Sequence, residues 1–218
     1  MKKGKDKPEG AARPARRMPG AEAQSCLLDA AVELFHREGV RAVGVDAVVR
    51  QAGVNKMSLY RQFASKDELV SAYLRRKDEE FWRFWEDSLS RHPGDPRRQM
   101  VQLFVDMAAK AAAPGYRGCP FVNVAAEFPD PEHPVRLLVI ANKAKLNERL
   151  AALAESAGAA DPQWLASALA LLIEGAYAAS QTYGPGNGPF DVLPSVAERL
   201  IEAALPPKDP FSGPGGHP

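Results

Sequence analysis

The sequence predicts an all-α protein, and three observations support that class. Apolar residues recur at the i, i+3, i+4 spacing of an amphipathic helix in segment after segment of residues 22–205. Prolines and glycines stand mainly between these segments, as at Gly39, Gly53 and Pro93. No segment has the alternation that predicts a strand, and no internal repeat is evident.

The first helix is predicted at residues 22–38. Leu27, Ala31 and Leu34 form its apolar stripe, and Gly39 follows directly after its last turn, where glycine commonly ends a helix. We expect this helix to support the two short helices that come next.

Those short helices are predicted at residues 45–51 and 56–62, separated by a turn at Gly53, because glycine readily adopts the positive φ of a sharp reversal. Each helix has one apolar face. The second one also carries hydrogen-bond donors and an aromatic ring suited to phosphates and base edges: Asn55, Lys56, Ser58, Tyr60, Arg61 and Gln62. This pattern predicts a helix-turn-helix whose second helix enters a major groove of DNA.

A long helix is predicted from the S-x-x-E capping box at Ser65 to Glu68 as far as Leu89. Its apolar residues change from Leu69 near the start to a cluster of aromatic side chains near the end. A helix that packs against two different domains requires such a change.

Further helices follow, and three of them begin at a proline, which is tolerated in the first turn. The predicted segments start at Pro96 and then cover residues 121–127, 134–157, 162–183 and 192–205. The segment at 162–183 is apolar nearly all round, so we expect a second helix or a second subunit to cover it.

The chain therefore divides into four parts. We expect a disordered basic arm at residues 1–20, a helix-turn-helix domain at 21–66, a regulatory and dimerisation domain at 67–205, and a disordered tail at 206–218. The arm could lie along DNA phosphates or in a minor groove, or it could be a solvated tail without a role.

The charge is unevenly distributed. Residues 1–75 contain 14 Lys and Arg against 9 Asp and Glu, a net charge of +5, whereas residues 76–218 contain 14 against 18, a net charge of −4. A basic first third suits a polyanionic partner. Residues 1–20 contribute seven of those basic residues and two of the acidic ones, so the arm accounts for most of the excess.

The composition excludes several classes of protein. No apolar run approaches the roughly 18 residues of a membrane span, and the N-terminus is polar, so we expect a cytoplasmic protein that does not bind a membrane. Cys26 and Cys119 lack a CxxC spacing, and the four histidines show no i, i+4 pairing. We therefore predict free thiols, no metal site and no cofactor.

Two stretches of the sequence resemble the TetR family of bacterial transcriptional regulators. They are LLDAAVELFHREGV (27–40) and VDAVVRQAGVNKMSLYRQFASKDELVSAYL (45–74). The second keeps the spacing A-G-V-x-K-x-x-L-Y-x-x-F-x-x-K-x-x-L. A third stretch, RGCPFVNVAAEFPDPEHPVR (117–136), is similar to one subgroup of the family. The resemblance implies a homodimer with an N-terminal DNA-binding domain and a variable C-terminal ligand-binding and dimerisation domain.

The resemblance also assigns residues. The family's recognition-helix contact positions fall on Lys56, Ser58, Tyr60, Arg61 and Gln62, and its phosphate-binding lysine at the start of the long helix falls on Lys66. Asn55 and Tyr60 suit phosphates. Arg61 and Gln62 have the reach for guanine or adenine edges, so we expect them to determine specificity.

One departure concerns the start of the second helix. The family usually has hydroxyl residues there, and this chain has Val43 and Gly44. Glycine is a moderate N-cap that leaves its amide free, so we expect Gly44 to give a weaker phosphate contact than serine.

The implied effector is a small molecule bound between the C-terminal helices, which releases a repressor from a pseudo-palindromic double-stranded operator. The identity of the effector does not follow from the sequence, and activation of transcription is the alternative to repression. The candidate ligand contacts are large apolar side chains, which would form the walls of a pocket, and polar side chains, which would orient the ligand: Trp85, Phe104, Met107, Phe121, Asn123, Glu127, Tyr177 and Gln181. For each of them a purely structural role is the alternative.

Two further functional interpretations are open. Cys119 lies at a helix start, where the pKa of a thiol can be lowered, so it could be a thiol sensor; the alternative is a small buried apolar residue. Glu127 and His133 could form the acid/base pair of a helical enzyme, but no nucleophile motif accompanies them.

Overall fold

The computed structural model describes residues 19–183 and 188–206. Helix is the only regular secondary structure in these ranges, which confirms the predicted all-α class. In chain order the helices are α1 (Gly20–Glu38), α2 (Val45–Ala52), α3 (Lys56–Gln62), α4 (Lys66–Leu89), α5 (Pro96–Ala111), α6 (Pro120–Glu127), α7 (Pro134–Ser156), α8 (Pro162–Thr182) and α9 (Leu193–Ala204). The predictions for residues 1–18 and 207–218 lie outside the described residues.

The largest boundary error is at α1, which begins at Gly20, two residues earlier than predicted and at the last residue assigned to the arm. The amide of Ala23 donates to the carbonyl of Pro19 at 2.9 Å, and Ala23 is buried. Apolar periodicity could not detect this turn, because only one of its residues is buried and its cap makes no side-chain hydrogen bond.

The described residues fall into two compact units, and the boundary between Leu69 and Val70 lies inside α4. In the first unit, α1 packs against both α2 and α3. Leu27, Leu34 and Phe35 on α1 are buried, as are Val48 on α2 and Leu59 on α3. The apolar face of each short helix is therefore used in this core, and the opposite face of α3 remains exposed.

In the second unit, α7 packs on α8, and α5 contacts α7, α8 and α9. Its interior contains side chains that are completely buried, including Phe104 on α5, Leu150 on α7 and Leu169 on α8. No helix within the described ranges is both long enough and apolar enough to cross a membrane.

Side chains cap three helix starts, and one of them is the predicted capping box at Ser65 to Glu68. The carboxylates of Asp95 and Asp161 each accept the backbone amide three residues later, both at 2.9 Å. Ser65 Oγ accepts the amide of Glu68 at 3.1 Å. The Glu68 carboxylate returns to the amide of Ala64 at 2.5 Å, one residue earlier than in the standard capping box, so it fixes the chain between α3 and α4.

Candidate nucleic-acid interface

The turn between α2 and α3 has the backbone expected of a helix-turn-helix. Gly53 has φ +66° and ψ +24°, the left-handed conformation that glycine adopts with little strain. The amides of Gly53 and Val54 donate to the carbonyls of Arg50 and Val49, which closes the last turn of α2. The chain then enters α3 through Asn55.

Asn55 is the N-cap of α3. Its Oδ1 accepts the backbone amide of Ser58 at 2.8 Å and the Ser58 hydroxyl at 3.0 Å. The side-chain oxygen of Asn55 is therefore occupied by hydrogen bonds within α3. Its Nδ2 group is the part of the side chain that can donate to a phosphate. The Ser58 side chain is half-buried and turned toward the cap.

Arg61 and Tyr60 are exposed on α3, as the sequence predicted, and Gln62 is only half-buried. The Gln62 amide lies 3.3 Å from the position that a Cβ on Gly20 would occupy, so it faces the start of α1. Of the two predicted base-reading side chains, Arg61 points away from the buried face of α3 and Gln62 lies at its edge.

Lys56, the first residue of α3, is paired within the protein. Its Nζ lies 2.9 Å from the carboxylate of Asp46 on α2, and this hydrogen bond raises the pKa of Lys56. Both side chains are largely exposed, and an exposed pair of this kind contributes little to stability. A DNA phosphate can therefore compete with Asp46 for Lys56, at the cost of bringing Asp46 close to the backbone of the DNA. This pair joins residues ten positions apart on different helices, so the local sequence pattern does not indicate it.

Lys66 is the first residue of α4 and is half-buried. It shares this corner with Ser65, whose hydroxyl caps the helix. The arrangement agrees with the predicted phosphate contact at a helix start, where backbone amides add to the charge of the side chain.

Met57 is an exposed residue that the sequence analysis did not select. It is 64% exposed, on the same side of α3 as Arg61. A helical wheel would have detected it, because residues i and i+4 share a face. Met57 stands outside the predicted DNA contacts because those contacts are hydrogen-bonding side chains, and methionine offers only a weak acceptor.

Replacing Asn55 with alanine should destabilise the first unit by about 1 kcal/mol, since one helix-start amide loses its partner. Asn55→Asp keeps an oxygen acceptor for the amide of Ser58 and replaces the Nδ2 donor by a negative oxygen. We therefore expect near-native stability in urea denaturation for the aspartate variant, with weaker DNA binding. If Asn55→Asp binds DNA as tightly as the native chain, Asn55 is a cap only.

Replacing Gly44 with serine should strengthen DNA binding. Gly44 caps α2 with φ −81° and ψ 156°, which any residue can adopt, and a Cβ there would meet no atom within 4 Å. A serine hydroxyl would cap α2 and offer a donor to phosphate, so we expect an increase in operator affinity of a few-fold, on the order of one neutral hydrogen bond. An unchanged affinity in a titration with labelled duplex would contradict the predicted weak contact.

The predicted ligand residues do not form one open site. Trp85, Phe104, Met107, Phe121 and Tyr177 are buried, which is the placement of core side chains. Asn123 and Gln181 bind each other: Gln181 Nε2 donates to Asn123 Oδ1 at 3.0 Å, and Asn123 Nδ2 donates to the carbonyl of Arg117 at 2.9 Å. These two side chains connect α6 to α8.

A cleft of about 150 Å³ lies between α4 and α7. Of the candidates only Phe121 lines it, together with Leu74, Leu138 and Ala141. Its polar end holds Asp78, whose Oδ1 accepts Trp82 Nε1 and Asn142 Nδ2, both at 2.8 Å. The sequence pattern does not indicate this polar end of the cleft, because Asp78 and Asn142 are 64 residues apart.

Cys119 is buried at the start of α6, and burial raises the pKa of its thiol. The Lys143 ammonium, whose Nζ lies 3.6 Å from Sγ, and two backbone amides oppose this shift without reversing it. Lys143 is also paired with Glu174 at 2.5 Å. Desolvation therefore outweighs the helix start in setting the pKa of this thiol, which favours the alternative of a small buried apolar residue over the thiol sensor.

Of the acid/base pair Glu127 and His133, the histidine has a structural role. His133 caps α7, its Nδ1 accepting the amide of Val135 at 3.3 Å, and its ring lies 4.8 Å from the ring of Phe128. Glu127 is the last residue of α6. Within the described residues no group of three His, Cys, Asp or Glu side chains could hold a metal ion.

Comparison with known proteins agrees with this geometry. Residues 27–73 match the sequence profile of bacterial regulatory proteins of the tetR family, and residues 94–189 match a tetracyclin repressor-like C-terminal domain. A 75-residue segment is 41% identical to the HTH-type transcriptional activator FasR of Mycolicibacterium smegmatis, and the match covers 34% of this chain and 34% of that protein.

Two solved structures are similar over most of the chain. A TetR-family regulator from Streptomyces coelicolor is 30% identical with a TM-score of 0.76, over 85% of this chain and 95% of that one. A putative TetR regulator from Streptomyces avermitilis is 32% identical with a TM-score of 0.74, over 84% and 97%. The protein is a DNA-binding transcriptional regulator that belongs to the TetR family.

Proposed function

We propose that the protein is a cytoplasmic homodimeric repressor that binds a pseudo-palindromic operator and is released by a small effector. The observation that carries this proposal is the exposed face of α3, which a left-handed Gly53 directs away from the core of the first unit. Two copies of α3 would lie about one helical turn of DNA apart, roughly 34 Å.

Within this proposal the DNA contacts divide into two groups. Lys66, the Nδ2 of Asn55, Tyr60, Gly44 and Lys56 would bind phosphates and fix the register. Arg61 would read a base edge, with Gln62 and Ser58 at the margin of the same surface. A gel shift on DNA that flanks the protein's own gene tests the proposal: we expect a specific complex that weakens as salt rises. Weak binding without a preference for DNA sequence would contradict the proposal.

The proposed dimer interface is the outer face of α8 and α9. Leu171 is 75% exposed there, and Val192 and Val196 are exposed beside it. These residues line an apolar groove of about 490 Å³ whose walls also include Leu172 and Leu200. Such a face costs free energy in water, and a second copy related by a two-fold axis would bury it in a four-helix arrangement.

The proposed effector site is the cleft between α4 and α7, which combines apolar walls with the polar end at Asp78 and Asn142. A ligand there shifts the regulator only by preferring one arrangement of α4 over another. A library screened by thermal shift, repeated with Leu138→Trp to fill the cleft, locates the site. An effector whose shift survives Leu138→Trp binds elsewhere.

Activation of transcription is the second candidate. The relative from Mycolicibacterium smegmatis is an activator, and its 41% identity over 75 residues is to a segment of about the size of the DNA-binding domain. Transcription in vitro from the bound promoter, with and without the protein, distinguishes the two outcomes. Reduced transcript supports the repressor, and increased transcript replaces it by an activator.

A further inference from the structure

Met57 has no packing role that accounts for it. Its side chain is 64% exposed, whereas the neighbouring apolar residues Leu59 and Phe63 are 0% and 3% exposed. Single exposed apolar side chains are ordinary on protein surfaces, so exposure alone decides nothing. The relevant property is the position of Met57 on α3 relative to the buried face of that helix.

Successive residues of a helix are about 100° apart, so Met57 and Arg61 lie about 40° apart on one side of α3. Leu59 and Phe63 are likewise about 40° apart, and their side is about 200° away from that of Met57 and Arg61. The buried side is fixed in the core of the first unit. Met57 and Arg61 are therefore the two side chains that project furthest from that core.

A recognition helix places this outermost side against the floor of the major groove. The floor carries acceptors and donors on the base edges, and one apolar group, the C5-methyl of thymine. Methionine is a flexible, polarisable apolar side chain that adapts to an irregular surface. Contact with a methyl group would remove apolar surface of both partners from water.

We infer that Met57 reads a thymine through its C5-methyl group, and that it determines specificity together with Arg61. The inference rests on the proposed placement of α3 in the major groove. It replaces Gln62, which faces Gly20 at the edge of the buried side, as the second base-reading residue. One half-site then presents a thymine to Met57 and a guanine to Arg61.

The separation along the helix limits where these bases lie. Four residues advance about 6 Å along an α-helix, and successive base pairs are about 3.4 Å apart. The thymine and the guanine therefore fall within about two base pairs of each other. An operator without a thymine this close to the guanine that Arg61 reads would contradict the assignment.

The test removes one methyl group from the DNA. The operator is first selected from random duplexes with the full-length protein, and each thymine of one half-site is then replaced in turn by uracil. We expect one position to cost about fourfold in affinity, equivalent to ~0.8 kcal/mol for a buried methyl group at 1.36 kcal/mol per tenfold change. Met57→Ala should lose a similar factor on the thymine operator and become indifferent to uracil at that position.

Two controls make the result specific. Met57→Leu keeps an apolar side chain and should retain the penalty for uracil, and Lys66→Ala should weaken binding while retaining it. A Met57→Ala variant that still distinguishes thymine from uracil, or an operator in which no uracil reduces affinity, overturns the inference.

Failure of the proposed placement of α3 gives a different result. In that case Arg61→Ala and Met57→Ala both leave the affinity for the selected operator unchanged. If α3 does bind the groove and only the methyl contact is wrong, Arg61→Ala still relaxes the preference for guanine while Met57→Ala leaves the response to uracil as it was.

Discussion

Replacing Arg61 with alanine is expected to reduce operator affinity by about 1–3 kcal/mol and to relax the preference at one base pair, because a bidentate contact with guanine has no substitute once the guanidinium is gone. Arg61 is exposed on the outermost side of α3, and it is not needed for the core of the first unit. Competition titrations with operators that vary at each position measure both effects. Arg61→Lys is the matched control, since it keeps the charge and loses the planar fork.

Lys66→Ala provides the contrast that gives the Arg61 result its meaning. A phosphate contact carries no sequence information, so this variant should weaken all DNA by a similar factor and reduce the salt slope by about 1. The two variants separate base reading from phosphate binding. If both variants reduced the affinity for every DNA sequence by a similar factor, Arg61 would be a phosphate ligand. The specificity of α3 would then have to come from other residues.

The sequence predicted the architecture well because the signals for helices are local. The turn at Gly53, the capping box at Ser65 to Glu68 and the apolar stripe of α1 each depend on residues a few positions apart. The start of α1 was missed for the same reason, since its first turn has no side-chain cap and only one buried residue. Local pattern is informative where the local residues determine the structure.

The details of the sites depended on contacts that the sequence does not display. Lys56 was selected as a donor, yet its partner Asp46 is on a different helix. Asp78 and Asn142 meet although 64 residues separate them. The aromatic ligand candidates follow from residue type alone, and the burial of Trp85 and Phe104 is visible only in the folded chain. Pairings between distant residues, and the burial that follows from them, are properties of the folded chain.

Burial also favours one of the two interpretations of Cys119, the small buried apolar residue. A helix start lowers the pKa of a thiol by stabilising the thiolate, but desolvation acts in the opposite direction and is the larger effect here. The sequence shows the helix start and not the depth of burial.

The largest effect on DNA binding is expected from a single substitution far along the chain from α3. Leu171→Asp places a carboxylate in the apolar groove of α8 and α9, where Leu171 is 75% exposed in one subunit. A two-fold interface uses each residue twice, so the proposed dimer would lose the burial of two leucines, about 3–6 kcal/mol, and would also have to bury two negative charges. We expect sedimentation to show a monomer at micromolar concentration, and operator affinity to fall at least 100-fold because the half-sites no longer bind as a unit.

The same substitution in a monomer changes little, since an exposed side chain away from a packed contact affects stability by about 0.5 kcal/mol or less. A native helical signal in circular dichroism would therefore show that Leu171→Asp acts on assembly rather than on folding. Leu137→Asp is the matched control, because Leu137 is 48% exposed on α7 and does not line the groove. If Leu137→Asp separates the subunits and Leu171→Asp does not, the two-fold axis passes through α7. The apolar face of α8 and α9 would then require a different partner to cover it.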